Sequence, residues 1–190
     1  MRRRLAALLL LAAATAGCSE GIQLVGDAAG LPRCVPTARD AVGGMVVMAQ
    51  SVPSATWLPC VRQVPPGWTF YALLPDDAGT TIRFMSDRDG ENALTVLLRR
   101  DCDLTGASEV PSEQPEMRRW ERVTRITSGY GGERHYVFSG GCVTFRFDLR
   151  GSTRAEPVAA VSESLAFLSR QKLDEMVRQV SGDRLHLDPS

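Results

Sequence analysis

The chain has 190 residues, with 22 basic and 22 acidic side chains, so it lacks the basic excess of a general nucleic-acid binder. An apolar content of 44% is ordinary for a globular protein and argues against wholesale disorder. The length suits one compact domain with additional segments. Lys172 is the only lysine, and His135 and His186 are the two histidines, so lysine chemistry and histidine metal sites have few residues to draw on.

The first 17 residues have the pattern of an export signal. Arginines at positions 2–4 precede a Leu- and Ala-rich run at 5–14, which is too short to span a bilayer. The run ends in Thr15-Ala16-Gly17-Cys18, which resembles the lipobox of bacterial lipoproteins. In that family the cysteine is alkylated with diacylglycerol and becomes the first residue after cleavage. The alternative is an ordinary secretory signal cleaved near Ala16.

The lipobox resemblance implies that Cys18 is lipidated and that the exported protein is held at the outer face of a cell membrane. The usage of Arg and Ala is similar to that of small actinobacterial envelope lipoproteins. We expect a signal peptide (1–17), a flexible tether (18–33) and a single domain (34–190). The mature chain is mildly acidic, so attachment has to come from the acyl chains and not from basic side chains.

Four cysteines remain besides Cys18, and an even number in an exported domain indicates two disulfides. Three pairings are possible, and no C-x-x-C spacing points to zinc or to a thioredoxin motif. We favour Cys34–Cys60, which would clamp the first helix. The second pair is then Cys102–Cys142, which would tie a long loop to a hairpin.

In chain order, the first predicted element is a helix from Thr37 to about Gln50, followed by a loop at 51–59. Three strands are predicted next, at 68–74, 80–86 and 91–100. A loop at 88–90 between the second and third of these strands pairs Phe84 with Leu94 and Ile82 with Val96. A long loop at 103–117 then leads to a strand at 118–126.

The strongest local signal is a second hairpin around Gly140-Gly141, with Ser139 opposite Cys142. One face of this hairpin is apolar and is expected to point into the core: Tyr136, Phe138, Val143, Phe145 and Phe147. The other face, with His135, Val137, Thr144 and Arg146, is expected to be wet. In this register His135 lies beside Arg146, as a solvated neighbour across the strands.

The tail from 156 to 180 has helical spacing, with a break near Ser169, a stop at Gly182 and a short edge strand at 184–188. The predicted fold class is therefore α+β. A mainly antiparallel sheet of about five or six strands packs against one N-terminal helix and a C-terminal helical segment broken near Ser169.

Neither a G-x-S-x-G nor an H-E-x-x-H motif occurs, and we predict no catalytic, cofactor or metal residue. Asp87, Asp89 and Glu91 are interpreted as a solvated hairpin tip, with a weak calcium site as the alternative. Trp57 and Tyr130 are the residues expected to offer a contact surface for an envelope protein or a glycan.

These patterns favour a non-catalytic lipoprotein of the envelope with a binding or scaffolding role. One alternative is an exported hydrolase acting on cell-wall material, which would need converging carboxylates such as Asp76 or Asp87 with Glu121 or Glu133. Another alternative is a regulatory partner of an integral membrane protein.

Overall fold

An antiparallel sheet forms the centre of the computed structural model, which describes residues 24–25, 30–35, 39–151 and 155–188. Cys18 and the predicted signal peptide lie outside the described residues, as does Thr37. The sheet has the strand order β1-β3-β4-β5-β9-β8-β7-β6. Its strands are β1 (Leu24–Val25), β3 (Trp68–Asp76), β4 (Gly79–Ser86), β5 (Gly90–Arg99), β6 (Ser108–Val110), β7 (Arg118–Arg125), β8 (Tyr130–Phe138) and β9 (Gly141–Leu149).

A second layer covers one face of this sheet. It contains α1 (Arg39–Ser51), α2 (Ala155–Ser164), α3 (Arg170–Ser181) and a two-stranded ribbon of β2 (Trp57–Val61) and β10 (Leu165–Ser169). Helix α1 lies against β3 and β4, and β2 crosses β5 and β9. No helix among the described residues is long and apolar enough to cross a membrane.

The α+β class is confirmed, but the strand count was underestimated. The main sheet has seven strands of three or more residues, against the five or six predicted. Strand β6 lies in the predicted loop at 103–117, and β2 and β10 replace part of a predicted loop and of a predicted helix. The spacing of Leu165 and Leu168 fits a helix, yet pairing with β2 gives that backbone its hydrogen bonds. The sequence gives no local sign of a partner so far away in the chain.

The first predicted hairpin, between β4 and β5, has the predicted register. Ile82 is opposite Val96 and Phe84 is opposite Leu94. An irregularity follows Phe84, so that Ser86 is opposite Gly90 at the tip. The backbone of Gly90 has φ +85° there, which is the conformation that the turn requires.

The second hairpin, between β8 and β9, has a register two residues away from the predicted one. Phe138 is opposite Gly141, so the turn is Ser139-Gly140 and Tyr136 is opposite Val143. The carbonyl oxygen of Ser139 accepts hydrogen bonds from the backbone N–H (3.3 Å) and the hydroxyl (2.8 Å) of Thr56. These contacts with the start of β2 fix the turn, and no local pattern reveals them.

A shift of two residues leaves every side chain on its predicted face. Tyr136, Phe138, Val143, Phe145 and Phe147 are all at most 8% exposed, as expected for the core face. The expectation of a wet opposite face is wrong in part, because His135 and Thr144 are buried there. Cys102, in the loop after β5, has its Sγ 3.1 Å from the Thr144 hydroxyl oxygen, and the Thr105 carbonyl of the same loop accepts a hydrogen bond of 2.6 Å from Arg122.

Both ends of α3 agree with the sequence analysis. The Ser169 side chain accepts a hydrogen bond from the backbone N–H of Lys172, and Gly182 ends the helix in a left-handed conformation. Residues 184–188 do not form the predicted edge strand. Within the predicted tether, Leu24–Val25 pairs with β3 and Leu31 is buried, so the packed structure begins before Cys34.

Candidate functional site

A cleft of about 640 Å³ opens where the β2–β10 ribbon meets the start of α3 and the C-terminal stretch. Trp57 forms part of its wall and is half-buried against the core. Polar side chains also line the cleft, among them Glu116, Gln171, Asp174 and Asp188. A concave site that combines an aromatic surface with a few polar groups is typical of ligand binding.

The walls of this cleft are held by hydrogen bonds between distant parts of the chain. Buried Arg170 donates to the carbonyl oxygens of Ala49 (2.8 Å) and Asp188 (2.9 Å). Asp174 accepts a hydrogen bond of 2.8 Å from the backbone N–H of Leu187. These bonds order the C-terminal stretch against α3, so the cleft is formed before any ligand arrives.

The two aromatic residues expected at a contact surface have different surroundings. Trp57 opens β2, opposite Ser169, and lines the cleft. Tyr130 begins β8 opposite Leu149 and packs near the Phe147 ring, with 6.2 Å between the ring centroids. The structure therefore makes Trp57 the better candidate for ligand contact.

The cysteines pair as the sequence analysis favoured. Cys34–Cys60 and Cys102–Cys142 form disulfides, with Cα–Cα distances of 4.9 Å and 5.8 Å. The first joins the stretch before α1 to β2. The second joins the loop after β5 to β9, on the sheet face opposite the helices.

A buried polar cluster lies beside the second disulfide, on that outer face. His135 is 2% exposed and faces Thr144, so the prediction that it is a solvated neighbour of Arg146 is wrong. Arg146 is opposite Glu133 instead, and its Nε donates to Glu133 Oε1 at 2.8 Å. Arg122 also donates to Glu133.

The electrostatics of the cluster keep Glu133 ionised and His135 neutral. Burial alone raises the pKa of Glu133, but hydrogen bonds from Arg146 and Arg122 bring that pKa below its usual value. Burial lowers the pKa of His135, against the opposing effect of Glu133. The imidazole is therefore an uncharged hydrogen-bonding group at neutral pH.

The hairpin tip suggested as a weak calcium site has a structural role. Asp89 is 5% exposed and accepts a hydrogen bond of 3.0 Å from the backbone N–H of Gly151. The Ser86 hydroxyl also donates to its carboxylate. Among the described residues, no group of three or more His, Cys, Asp or Glu side chains is arranged to hold a metal ion.

The carboxylates expected to converge in a hydrolase lie apart, and three of them pair with arginines. Asp76 pairs with Arg99 at 3.0 Å, near the end of β3. Glu121 pairs with Arg134 at 2.7 Å on the helix side of the sheet, whereas Glu133 faces the outer side. Asp87 is exposed at the hairpin tip.

Sequence reasoning missed the acidic and basic residues of the cleft. Arg170 follows a recognisable helix cap, but nothing in the sequence shows that its guanidinium reaches Ala49 across 121 positions. The alternation in β8 and β9 did place His135, Thr144 and Arg146 on one face. That alternation was a signal for the outer cluster, although burial was not foreseen.

The fold and the cleft define an α+β domain with a preformed polar and aromatic groove. Comparisons of the chain with family models, with curated proteins and with solved structures gave no match.

Proposed function

We propose that this protein is a non-catalytic lipoprotein, anchored through Cys18 to the outer face of a cell membrane, that binds an envelope glycan in the cleft beside Trp57. The observation that carries the binding role is the half-buried Trp57 in a cleft with ordered polar walls. The C–H groups on one face of a sugar ring pack well against an indole. Carboxylate and amide groups such as those of Asp174 and Gln171 bind sugar hydroxyls.

The anchoring part of the proposal rests on Thr15-Ala16-Gly17-Cys18 after a short apolar run. The Cys18→Ser variant should move from the membrane fraction to the soluble exported fraction. Without acyl chains the mildly acidic mature chain has no strong attraction to anionic lipid. Unchanged membrane partition of the variant would refute lipidation at Cys18.

The binding part is tested by co-sedimentation of the mature domain with purified cell-wall sacculi. Trp57→Ala should weaken binding by about tenfold, the effect of losing about 1.4 kcal/mol of aromatic contact. Trp120→Ala is the matched control, because Trp120 is half-buried on β7, away from the cleft. Equal binding by the two variants contradicts a glycan site at Trp57.

The same assay separates the two alternatives. Release of soluble sugar fragments from the sacculi during incubation would favour the hydrolase. If the domain does not bind sacculi at all, the result would favour the other alternative, a regulatory partner of an integral membrane protein. The large exposed apolar side chains are distributed over the N-terminal stretch, β3, the end of β7 and the region around the end of α3: Val35, Tyr71, Val123, Ile126, Val180 and Leu185.

A further inference from the structure

The two disulfides have the same pattern of exposure but different neighbours. In each, one cysteine is half-buried (Cys34, Cys102) and the other is 1% exposed (Cys60, Cys142). Cys60 belongs to the apolar core, and Cys34 packs against that core. Cys102 instead has its Sγ 3.1 Å from the hydroxyl oxygen of Thr144.

A chain of polar groups leads inward from Cys102. The Thr144 hydroxyl lies 2.8 Å from Nδ1 of His135. On the other side of the ring, Nε2 of His135 is buried, has no hydrogen-bond partner among the described residues and lies 3.7 Å from Oε2 of Glu133. The sulfur, hydroxyl, imidazole and carboxylate therefore stand in sequence.

The charges around the imidazole decide which nitrogen holds the proton. Ionised Glu133 favours a proton on Nε2, which leaves Nδ1 as an acceptor for the Thr144 hydroxyl. The oxygen of Thr144 is then free to accept a hydrogen bond from a thiol at Cys102. The other charged groups acting on His135 are Arg122, Arg146 and Asp103. Arg122 and Arg146 are engaged with Glu133.

We propose that Cys102–Cys142 is a thiol–disulfide exchange site, at which Cys102 is the sulfur that reacts with a dithiol or disulfide of another molecule. Cys142, being buried, is the resolving cysteine. Each protein molecule exchanges one disulfide with one dithiol. This exchange depends neither on the glycan cleft nor on the lipid anchor. Cys34–Cys60 has no comparable hydroxyl or imidazole contact among the described residues and remains structural.

The exchange balances as a transfer of two electrons and two protons. A thiolate of an incoming dithiol attacks Cys102 Sγ, the bond to Cys142 breaks, and Cys142 leaves as a thiolate and is protonated. The second thiolate of the dithiol then attacks the sulfur bound to Cys102. The dithiol becomes a disulfide, and Cys102 leaves as a thiolate.

Thr144 and His135 stabilise the Cys102 thiolate in both directions of this exchange. When the reduced protein attacks a disulfide, the Cys102 proton is lost to solvent, and the Thr144 hydroxyl turns from Nδ1 of His135 to donate a hydrogen bond to the Cys102 thiolate. His135 stays uncharged in this step. Thr144 and His135 are thus positioning residues that make the Cys102 thiolate easier to form.

The first test compares two single thiols in the full mature chain. Cys142→Ser leaves Cys102 free, and Cys60→Ser leaves Cys34 free at similar exposure without the polar chain. The rate of alkylation by iodoacetamide is followed against pH by mass spectrometry. The midpoint for Cys102 should lie at least about one pH unit below that for Cys34. An equal or higher midpoint for Cys102 overturns the proposal.

Variants at Thr144 separate the hydrogen bond to the Cys102 thiolate from simple packing. In the Cys142→Ser background, Thr144→Val should raise the Cys102 midpoint to that of Cys34, because it keeps the shape and removes the hydroxyl. Thr144→Ser keeps the hydroxyl and should keep the low midpoint. If Val and Ser have the same effect, the proposed hydrogen bond from Thr144 to the thiolate is wrong.

A second measurement needs no cysteine substitution and decides the matter if Cys142→Ser does not fold. The oxidised protein is treated with dithiothreitol, quenched by alkylation and mapped. Cys102–Cys142 should open several-fold faster than Cys34–Cys60, and Thr144→Val should slow only the opening of Cys102–Cys142. Equal opening rates in wild type, or no effect of Thr144→Val, overturn the exchange site.

Discussion

The guanidinium of Arg170 donates to the carbonyl oxygen of Ala49 at 2.8 Å and so ties the first residue of α3 to α1. Arg170 is 8% exposed, and its second hydrogen bond reaches the carbonyl oxygen of Asp188. Burial lowers the pKa of this side chain, yet no arginine loses its proton near neutral pH. A buried cation therefore holds together three segments that also shape the cleft.

Replacing this cation tests its structural role. Arg170→Met leaves two carbonyl oxygens without their donor and should lower the free energy of unfolding by roughly 2–3 kcal/mol. Urea unfolding of the mature domain measures the effect. Arg184→Met is the control, because exposed Arg184 bonds, among the described residues, to the nearby Ser181 carbonyl alone. This variant should cost less than about 0.5 kcal/mol. Equal losses would show that the Arg170 bonds add little.

Phe145 is expected to be a main contributor to core stability. Its ring centroid lies 5.4 Å from that of Tyr136 and 6.2 Å from that of Phe167, so it joins the main sheet to the ribbon. Phe145→Ala should cost about 3–5 kcal/mol, measured by denaturant unfolding. Val123→Ala, at a position that is 53% exposed, should change stability by less than about 0.5 kcal/mol. A small loss for Phe145→Ala would contradict the packing described.

Two glycines with similar φ values separate conformational strain from steric clash. Gly90 has φ +85° and Gly140 has φ +71°. A Cβ at Gly90 would meet nothing within 4 Å, whereas one at Gly140 would lie 1.9 Å from the carbonyl oxygen of Ser54. Gly90→Ala should therefore lower the free energy of unfolding by about 1 kcal/mol, because the alanine has to adopt a left-handed backbone conformation but meets no steric clash.

Gly140→Ala should cost clearly more than Gly90→Ala, since the β8–β9 turn has to move away from the segment before β2. Thermal unfolding of both variants in the same buffer measures the difference. If the two alanines have equal effects, the turn does not pack against Ser54 as described.

The buried histidine predicts a pH dependence with a definite sign. The pKa of His135 is lowered in the folded state, so the unfolded chain binds the proton more tightly. The stability due to neutral His135 is full above its unfolded pKa of about 6.5 and is lost as the pH falls towards the folded value. Unfolding free energy should thus decrease from pH 7.5 to pH 5.5.

The chain provides its own control for this titration, because His186 is its other histidine and is exposed. His135→Gln should remove most of the decrease between pH 7.5 and pH 5.5, and His186→Gln should leave it in place. Urea midpoints at the two pH values measure it. A decrease that persists in His135→Gln would assign the dependence to other groups.

The candidate sites were predictable only in part. Four cysteines in an exported domain allow three ways of forming two disulfides. The preference for pairs that hold a predicted helix or hairpin in place selected the two disulfides that the structure contains. Trp57 was singled out as an aromatic residue in a Pro-containing segment. The cleft around it was not predictable, because it is assembled from β2, the stretch around Glu116, α3 and the C-terminal residues.

Period-two alternation in the sequence by itself determined which residues of the two hairpins face the core. The break at Ser169 and the stop at Gly182 were also predictable, because a helix cap and a left-handed glycine depend on local backbone chemistry. The leader with Cys18 is likewise a local pattern, and lipidation stays a prediction. Features that depend on residues within a few positions of one another can be predicted from a single sequence.

Tertiary structure alone decided the register of β8 and β9, the β2–β10 ribbon and the burial of His135. A slip of two residues leaves every side chain on the same face, so alternation cannot distinguish Phe138–Gly141 from the predicted pairing, and bonds from Thr56 to Ser139 settle it. The ribbon and the burial of His135 both depend on segments that are far apart in sequence. Their energy comes from contacts that exist only once the chain is folded.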